Sequence, residues 1–242
     1  MKKNDRYNYV HVPRSDDEGK RTYDVRGMHL PSVTTILSRT KDQQHLKRWY
    51  AKKGHAEAER IKNHSGKRGT SMHKFIESFI IGKGYEDLTP IGNEARPMAQ
   101  KVIEEGLKPI EEYYGSEVTV YYPGLYAGST DLVCVHNGID TIVDFKQANQ
   151  PKRKEWIDDY YMQIAAYAMA HDYIHGSSIE QGIIMVCTPD LYLQEFKFEG
   201  VELRGWKHKF LKRLNEYLEI IREPNINEKE LLNEFEKNRI KE

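Results

Sequence analysis

The sequence predicts an α/β fold: one mixed β-sheet flanked by helices, with a helical N-terminal portion. Three observations carry this. Residues 117–146 are rich in Val, Tyr, Thr and Ile and are cut by Pro123-Gly124 and His136-Asn137-Gly138, which reads as a meander of three antiparallel strands. Two further strand-like runs, 182–187 and 192–198, follow a long helix-patterned stretch at 155–175. Helical patterning covers most of 42–114 and resumes after 203.

The elements follow in order. Residues 7–12 and 21–25 are short β-like stretches separated by Ser15-Asp16-Asp17-Glu18-Gly19, a hairpin signal. Ser32 suits the N-cap of a short helix starting at Val33. Residues 42–63 have helical composition, with Leu46, Trp49 and Tyr50 on one side. The run Ser65-Gly66-Lys67-Arg68-Gly69 is expected to break that helix. A second helix is expected from Thr70, with Met72, Phe75, Ile76, Phe79 and Ile80 as its apolar stripe, and a third over 93–114. The meander strands are placed at 117–122, 126–135 and 139–146, followed by a polar basic loop at 147–154. The helix at 155–175 turns Trp156, Ile157, Tyr160, Ile164, Tyr167 and Ala168 inward. Helices near 203–221 and 228–239 close the chain. No repeat or low-complexity linker divides it, so 1–242 is read as one domain. Its parts are an N-terminal hairpin and lead-in (1–40), a helical part (41–115), a sheet with its helix (116–198) and C-terminal helices (199–242).

Composition narrows the function classes. Of 242 residues, 38% are hydrophobic and 31% charged, enough for a core beneath a heavily charged surface. No run approaches the roughly 18 apolar residues of a membrane helix. The opening MKKNDRYNYV lacks the apolar stretch of a signal peptide, so an intracellular soluble protein without membrane partners is expected. Cys134 and Cys187 lie in apolar strand-like runs and read as small core residues. Two cysteines are too few for a four-thiolate iron–sulfur cluster. Net charge is zero, so any nucleic-acid contact must come from local asymmetry. Residues 41–68 supply one: nine basic residues stand against three acidic ones, a balance of +6 before histidines.

The segment GSTDLVCVHNGIDTIVDFK, residues 128–146, carries the chemistry. A tight turn at Asn137-Gly138 pairs residues whose numbers sum to about 275, which sets Asp131 opposite Asp144. Their Cβ atoms are then about 5 Å apart. Two carboxylates that close repel unless a cation lies between them, and oxygen ligands suit Mg²⁺ or Mn²⁺. Lys146, two residues on, shares the face of Asp144 and projects beside the site, where an ammonium orients water or stabilises phosphate charge. The backbone carbonyl of Phe145 is a further candidate ligand. An Asp-x-Lys tripeptide is also common by chance, and an exposed strand carries such a pair without function.

Two other features converge. Gln163 and Tyr167 are spaced i, i+4 and share a helix face; a core aromatic and a solvent-facing amide have the same spacing. His73 is read as lying early in the helix from Thr70, where the helix dipole favours the neutral, metal-binding imidazole. A lone histidine beside an apolar stripe is also a common structural residue. Glu77, four residues on, is either a partner of His73 or a surface glutamate, and Glu117 is a candidate to extend the acidic cluster.

The order His73, Asp131, Asp144-Phe145-Lys146, Gln163-x-x-x-Tyr167 resembles the PD-(D/E)XK nuclease superfamily, in its RecB-type exonuclease branch. The likeness is to the mitochondrial genome maintenance exonuclease and its phage relatives, and runs from Leu30-Pro31-Ser32-Val33-Thr34 to Phe210-Leu211-Lys212-Arg213-Leu214. The resemblance implies a restriction-endonuclease-like sheet. It implies His73, Asp131, Asp144 and the Phe145 carbonyl as metal ligands, Lys146 as the catalytic lysine, and Gln163 and Tyr167 supporting the site and touching DNA. It implies a single-stranded DNA substrate degraded from an end, in replication, repair, recombination or genome maintenance, with replication or recombination proteins as partners. A phage origin would place the protein in the cytoplasm of a bacterial host. Gln147 stands where many relatives carry a small hydroxyl residue. Iron–sulfur relatives are excluded by their cysteines.

A strand of DNA needs a basic track with aromatic platforms. Arg48, Lys52, Lys67 and Arg68 on one side, and Lys152, Arg153 and Lys154 on the other, are the candidate DNA contacts, and the two segments are expected to flank the catalytic face. Trp49 and Trp156 suit core packing as well as base stacking. The alternatives are a structure-specific endonuclease on the same fold and a catalytically inactive DNA-binding module.

Overall fold

The computed structural model describes residues 1–17 and 20–222. It opens with β1 (Lys2–Lys3), β2 (Arg14–Asp17), β3 (Lys20–Val25) and β4 (Met28–Pro31), followed by α1 (Val33–Arg39), α2 (Gln44–Lys53), α3 (His55–Ile80) and α4 (Pro90–Lys101). Next come β5 (Ile110–Tyr122), β6 (Tyr126–His136), β7 (Ile139–Gln147), α5 (Asp158–His175), β8 (Gln181–Cys187), β9 (Leu193–Glu199) and α6 (Gly200–Arg222).

The main sheet has the order β1-β5-β6-β7-β8-β9. The meander β5-β6-β7 is antiparallel, β7 and β8 are parallel across the α5 crossover, and β9 returns antiparallel, so the sheet is mixed as expected. Asn137 (φ 48°) and Gly138 (φ 79°) form the tight turn that joins β6 to β7. Alternating side chains feed two cores. Val133 and Ile142 face α1, α5 and α6 with Ile36, Ile164 and Phe210, whereas Leu132, Val143 and Phe145 face α3 and α4 with Met72, Ile76 and Met98. The β2-β3-β4 sheet packs Tyr23, Val25 and Leu30 against Ala127 of β6.

Several elements differ from expectation. Residues 7–12 are not a strand, because the backbone ladder starts at Arg14, paired with Tyr23. Strand β4 was not foreseen; its hairpin turns on Arg26 (φ 54°) and Gly27 (φ 83°), and arginine is not a residue that signals a left-handed turn position. The helix break falls at Gly54, and α3 runs unbroken through Ser65–Gly69. Glycine costs about 1 kcal/mol in a helix interior, but at Gly69 a Cβ would stand 3.2 Å from Gln147 Cγ, so the residue lets the helix lie close to β7. His73 therefore sits deep in a 26-residue helix and not near a helix start. The third helix ends at Lys101, in a π-helical turn at Val102–Gly106, and β5 takes over from Ile110. Trp156 is 61% exposed in a 3-10 turn ahead of α5, not inward. The helix expected at 228–239 lies outside the described residues. No helix among the described residues is long and apolar enough to cross a membrane.

Candidate active site

The site forms where β6 and β7 part. Their ladder runs from His136↔Ile139 to Leu132↔Val143, the register the hairpin predicts, and stops one residue short of Asp131 and Asp144. Beyond that pair both strands continue without pairing to each other. Asp131 Oδ2 accepts the backbone amide of Phe145 at 2.7 Å. The opening admits side chains from both helical layers.

From the α3 side comes His73, with Nδ1 3.4 Å from Asp131 Oδ1 and 3.9 Å from Glu117 Oε1. Glu117 lies on β5 between the pairs Ser116↔Leu132 and Val118↔Thr130, which puts it opposite Asp131. Its φ of 52° is left-handed, a strained conformation for a non-glycine residue. One ligand atom each from His73, Glu117 and Asp131 lies within 4.8 Å of the others.

From the α5 side come Gln163 and Tyr167. Gln163 Nε2 donates to Asp144 Oδ1 at 3.0 Å and to the Tyr167 hydroxyl at 3.2 Å. Tyr167 lies against Gly128 of β6, where a Cβ would come within 2.3 Å of its ring. Asp144 is 1% exposed. Lys146 Nζ stands 2.5 Å from Asp144 Oδ2, a buried ion pair. The same ammonium lies 5.1 Å from the centre of the Tyr160 ring.

The charges are interlocked. Burial opposes charge on His73, but the Asp131 and Glu117 carboxylates outweigh it and hold the imidazolium up to about 10. The reason expected for a neutral imidazole is corrected: His73 lies in mid-helix, where no helix-end dipole acts on it, and its neighbours are the Asp131 and Glu117 carboxylates. Burial would raise Asp131, yet the His73 charge keeps it below the usual carboxylate range. Asp144 is raised, burial prevailing over the attraction of Lys146. Burial likewise works against Lys146, and Asp144 with Asp131 keeps it above its ordinary value.

These residues fit a divalent cation. A histidine and two carboxylates offer ligand atoms at one point, and the buried Asp144 carboxylate lines the same cavity. Of the expected ligands, His73 and Asp131 come together with Glu117, and Asp144 stands beside them, turned toward Lys146 and Gln163. The Phe145 carbonyl lies by chain position between Asp144 and Lys146. Glu77 is half-buried, and burial with the Glu117 charge raises it.

A cavity of about 510 Å³ joins this cluster to Arg14 and Arg21 on the small sheet. Those arginines carried no motif, because β2 and β3 reach the site only through tertiary packing. Among the expected DNA contacts, Arg48, Lys52 and Lys67 are exposed and Lys152 is half-buried. Arg153 stacks 5.2 Å from the Trp156 ring, and Lys154 pairs with Glu202 at 2.8 Å. Arg68 is 5% exposed, and its guanidinium is taken up by Gln147, Asn149 and Glu94.

The basic segment 41–67 bridges the two helical layers. Arg213 holds its root through Thr40 Oγ1 at 2.6 Å and the Leu37 carbonyl at 2.5 Å, and Lys41 pairs with Asp159 at 2.5 Å. At the far end Ser65 Oγ donates to Asn149 Oδ1 at 3.2 Å, just past the carboxyl end of β7. Helix α2 between them buries no residue.

No family model matches the chain, and no curated protein matches it. Among solved structures, a protein of Eubacterium rectale assigned as an exonuclease aligns at 14% identity and TM-score 0.46, over 62% of this chain and 66% of that one. The alkaline exonuclease of Laribacter hongkongensis aligns at 14% identity and TM-score 0.31, over 62% of this chain and 80% of that one. Its complex with dAMP aligns at 15% identity and TM-score 0.30, with the same coverage.

Proposed function

We propose that this chain is a divalent-metal-dependent deoxyribonuclease that hydrolyses phosphodiester bonds of single-stranded DNA from an end, in DNA replication, repair, recombination or genome maintenance. The observation that carries the reading is the meeting of His73, Glu117 and Asp131 beside the Asp144–Lys146 pair where β6 and β7 part.

His73, Asp131, Asp144 and the Phe145 carbonyl would hold Mg²⁺ or Mn²⁺, with Glu117 joining from β5. When bound, the ion supplies Lewis-acid polarisation of the phosphate and lowers the pKa of water. In the reaction a water oxygen bonds to phosphorus, the bond to the leaving sugar oxygen breaks, and that oxygen gains a proton. Lys146 places positive charge where the phosphate oxygens gain negative charge. Gln163 fixes Asp144 through one oxygen and leaves the other facing Lys146. Tyr167, buried against Gly128, walls the cavity and keeps its hydroxyl beside Gln163.

The substrate assignment rests on the segment 41–67 and the loop 147–157. Exposed Arg48, Lys52 and Lys67 on one, and half-buried Lys152 with exposed Arg153 on the other, would give a cationic frame for the strand. Exposed Trp156 under Arg153 offers a face for a base.

Digestion of end-labelled linear and circular single strands with Mg²⁺ or Mn²⁺ tests the reading. Linear DNA is shortened from an end and circles survive. Cut circles would make the protein an endonuclease, and binding without cleavage under either metal would make it an inactive DNA-binding module.

A further inference from the structure

Of the nine basic residues between 41 and 68, only Arg68 is buried. It is therefore not available to a DNA strand. Its Nε and Nη2 donate to Gln147 Oε1 at 3.1 and 2.8 Å, Nη2 also donates to Asn149 Oδ1, and Nη1 reaches Glu94 Oε2 at 3.3 Å. Gln147 in turn donates from Nε2 to the Ser65 carbonyl at 2.9 Å, and Gly69 lies against its Cγ. One turn of α3 is thus fastened to the residue that follows Lys146.

We infer that Arg68 and Gln147 form a positioning clasp that sets the register of α3 on β7, and so places His73 on the metal cluster. This rests on the metal-nuclease reading above. His73 lies five residues after Arg68, about 7.5 Å along the helix. Met72 and Ile76 hold α3 onto the sheet, but apolar contact is non-directional and permits sliding. A planar guanidinium bound through two nitrogens to one amide oxygen is directional and resists both sliding and rotation. The residues it joins flank the two halves of the site: Arg68 shares a helix with His73, and Gln147 adjoins Lys146. Strand alternation sends Gln147 to the α3 face while Lys146 points to the other, so one stretch of β7 serves both. The clasp explains why a long polar side chain follows Lys146: a small hydroxyl there could not reach Arg68 and the Ser65 carbonyl together.

The test uses the full chain with R68K, Q147L and Q147E. R68K keeps the charge and loses the fork; Q147E keeps an acceptor for Arg68; Q147L keeps neither bond. Mn²⁺ binding without DNA is measured by calorimetry, kcat and KM on a labelled single-stranded oligonucleotide, and folding by thermal melting. R68K and Q147L weaken Mn²⁺ binding by about tenfold or more and lower kcat by about 10–100-fold, the range for residues that orient metal ligands. KM for DNA stays within about twofold, and Q147E, which keeps the Arg68 contact but loses the donor to the Ser65 carbonyl, recovers part of the loss. Unchanged Mn²⁺ affinity in R68K, or a defect confined to KM, overturns the clasp. Should R68K fail to fold, the Q147L and Q147E pair decides: equal Mn²⁺ affinity in both overturns it. A wild-type protein that neither binds Mn²⁺ nor cuts DNA sinks the nuclease reading itself, whereas one that does both beside equally competent variants sinks only the clasp.

Discussion

Asp131 accepts the backbone amide of Phe145 through one carboxylate oxygen at 2.7 Å and faces His73 with the other at 3.4 Å. That double engagement turns the end of a hairpin ladder into a site. The side chain of β6 takes the amide of β7, the strands separate, and α3 and α5 both reach the gap.

Lys146→Ala removes the ammonium beside Asp144 and leaves a buried carboxylate without its ion-pair partner. Asp144 then rises further and takes up a proton. Loss of one charge-stabilising donor costs about 10²–10³ in kcat. A gel assay of strand cleavage should show that fall; wild-type rates in the variant would remove Lys146 from the chemistry.

Glu117→Gln keeps the shape of the side chain and removes its charge. The His73–Glu117–Asp131 group then offers the cation one carboxylate fewer. The metal concentration for half-maximal cleavage should rise by about tenfold. Identical Mg²⁺ and Mn²⁺ titration curves for variant and wild type would place Glu117 outside the ligand set.

The charges on the 41–67 segment should act on binding and not on the chemical step. Replacing Arg48 and Lys52 by Ala raises KM for single-stranded DNA and leaves kcat unchanged. The logarithm of affinity falls less steeply with salt, by about 0.7 in slope for each phosphate contact removed. Binding measured by fluorescence anisotropy across salt concentrations checks this, and an unaltered slope argues against contact.

His171 should make the fold acid-sensitive. It is fully buried, with Nε2 2.8 Å from the Tyr9 hydroxyl and Nδ1 2.7 Å from Ser177 Oγ. Burial, with His175 adding to it, pushes its pKa down to about 3. The unfolded chain binds a proton there below about 6.5. Between those values the unfolded state holds the extra proton, so this contribution is complete above pH 6.5 and is lost as pH falls toward 3. The slope approaches about 1.4 kcal/mol per pH unit. Urea unfolding from pH 7 to 4 should show it, and His171→Gln should lose less stability over that range; parallel curves would contradict the assignment.

Local signals made much of this molecule legible. The Asn137-Gly138 turn set the register that brings Asp131 and Asp144 to adjacent positions, because a two-residue turn leaves one way to pair the strands. Alternation placed Lys146 on the face of Asp144, and helical spacing aligned Gln163 with Tyr167. Where local rules misled, a packing contact had the last word. The glycines of Ser65–Gly69 looked like a helix break, yet α3 continues because Arg68 and Gly69 meet Gln147 some 80 residues away. The surroundings of His73 depended on the same fact, since a histidine in mid-helix faces Asp131 and Glu117 and not a helix end.

The amino-acid sequence by itself determined the order of strands in the meander and the carboxylate–lysine face of β7, because both follow from backbone periodicity and a two-residue turn. Only the tertiary structure decided that Glu117 joins His73, that Arg14 and Arg21 reach the cavity, and that Arg68 is buried against Gln147. Those roles depend on directional contacts between residues far apart in the chain, and neither composition nor spacing encodes a distance across a fold.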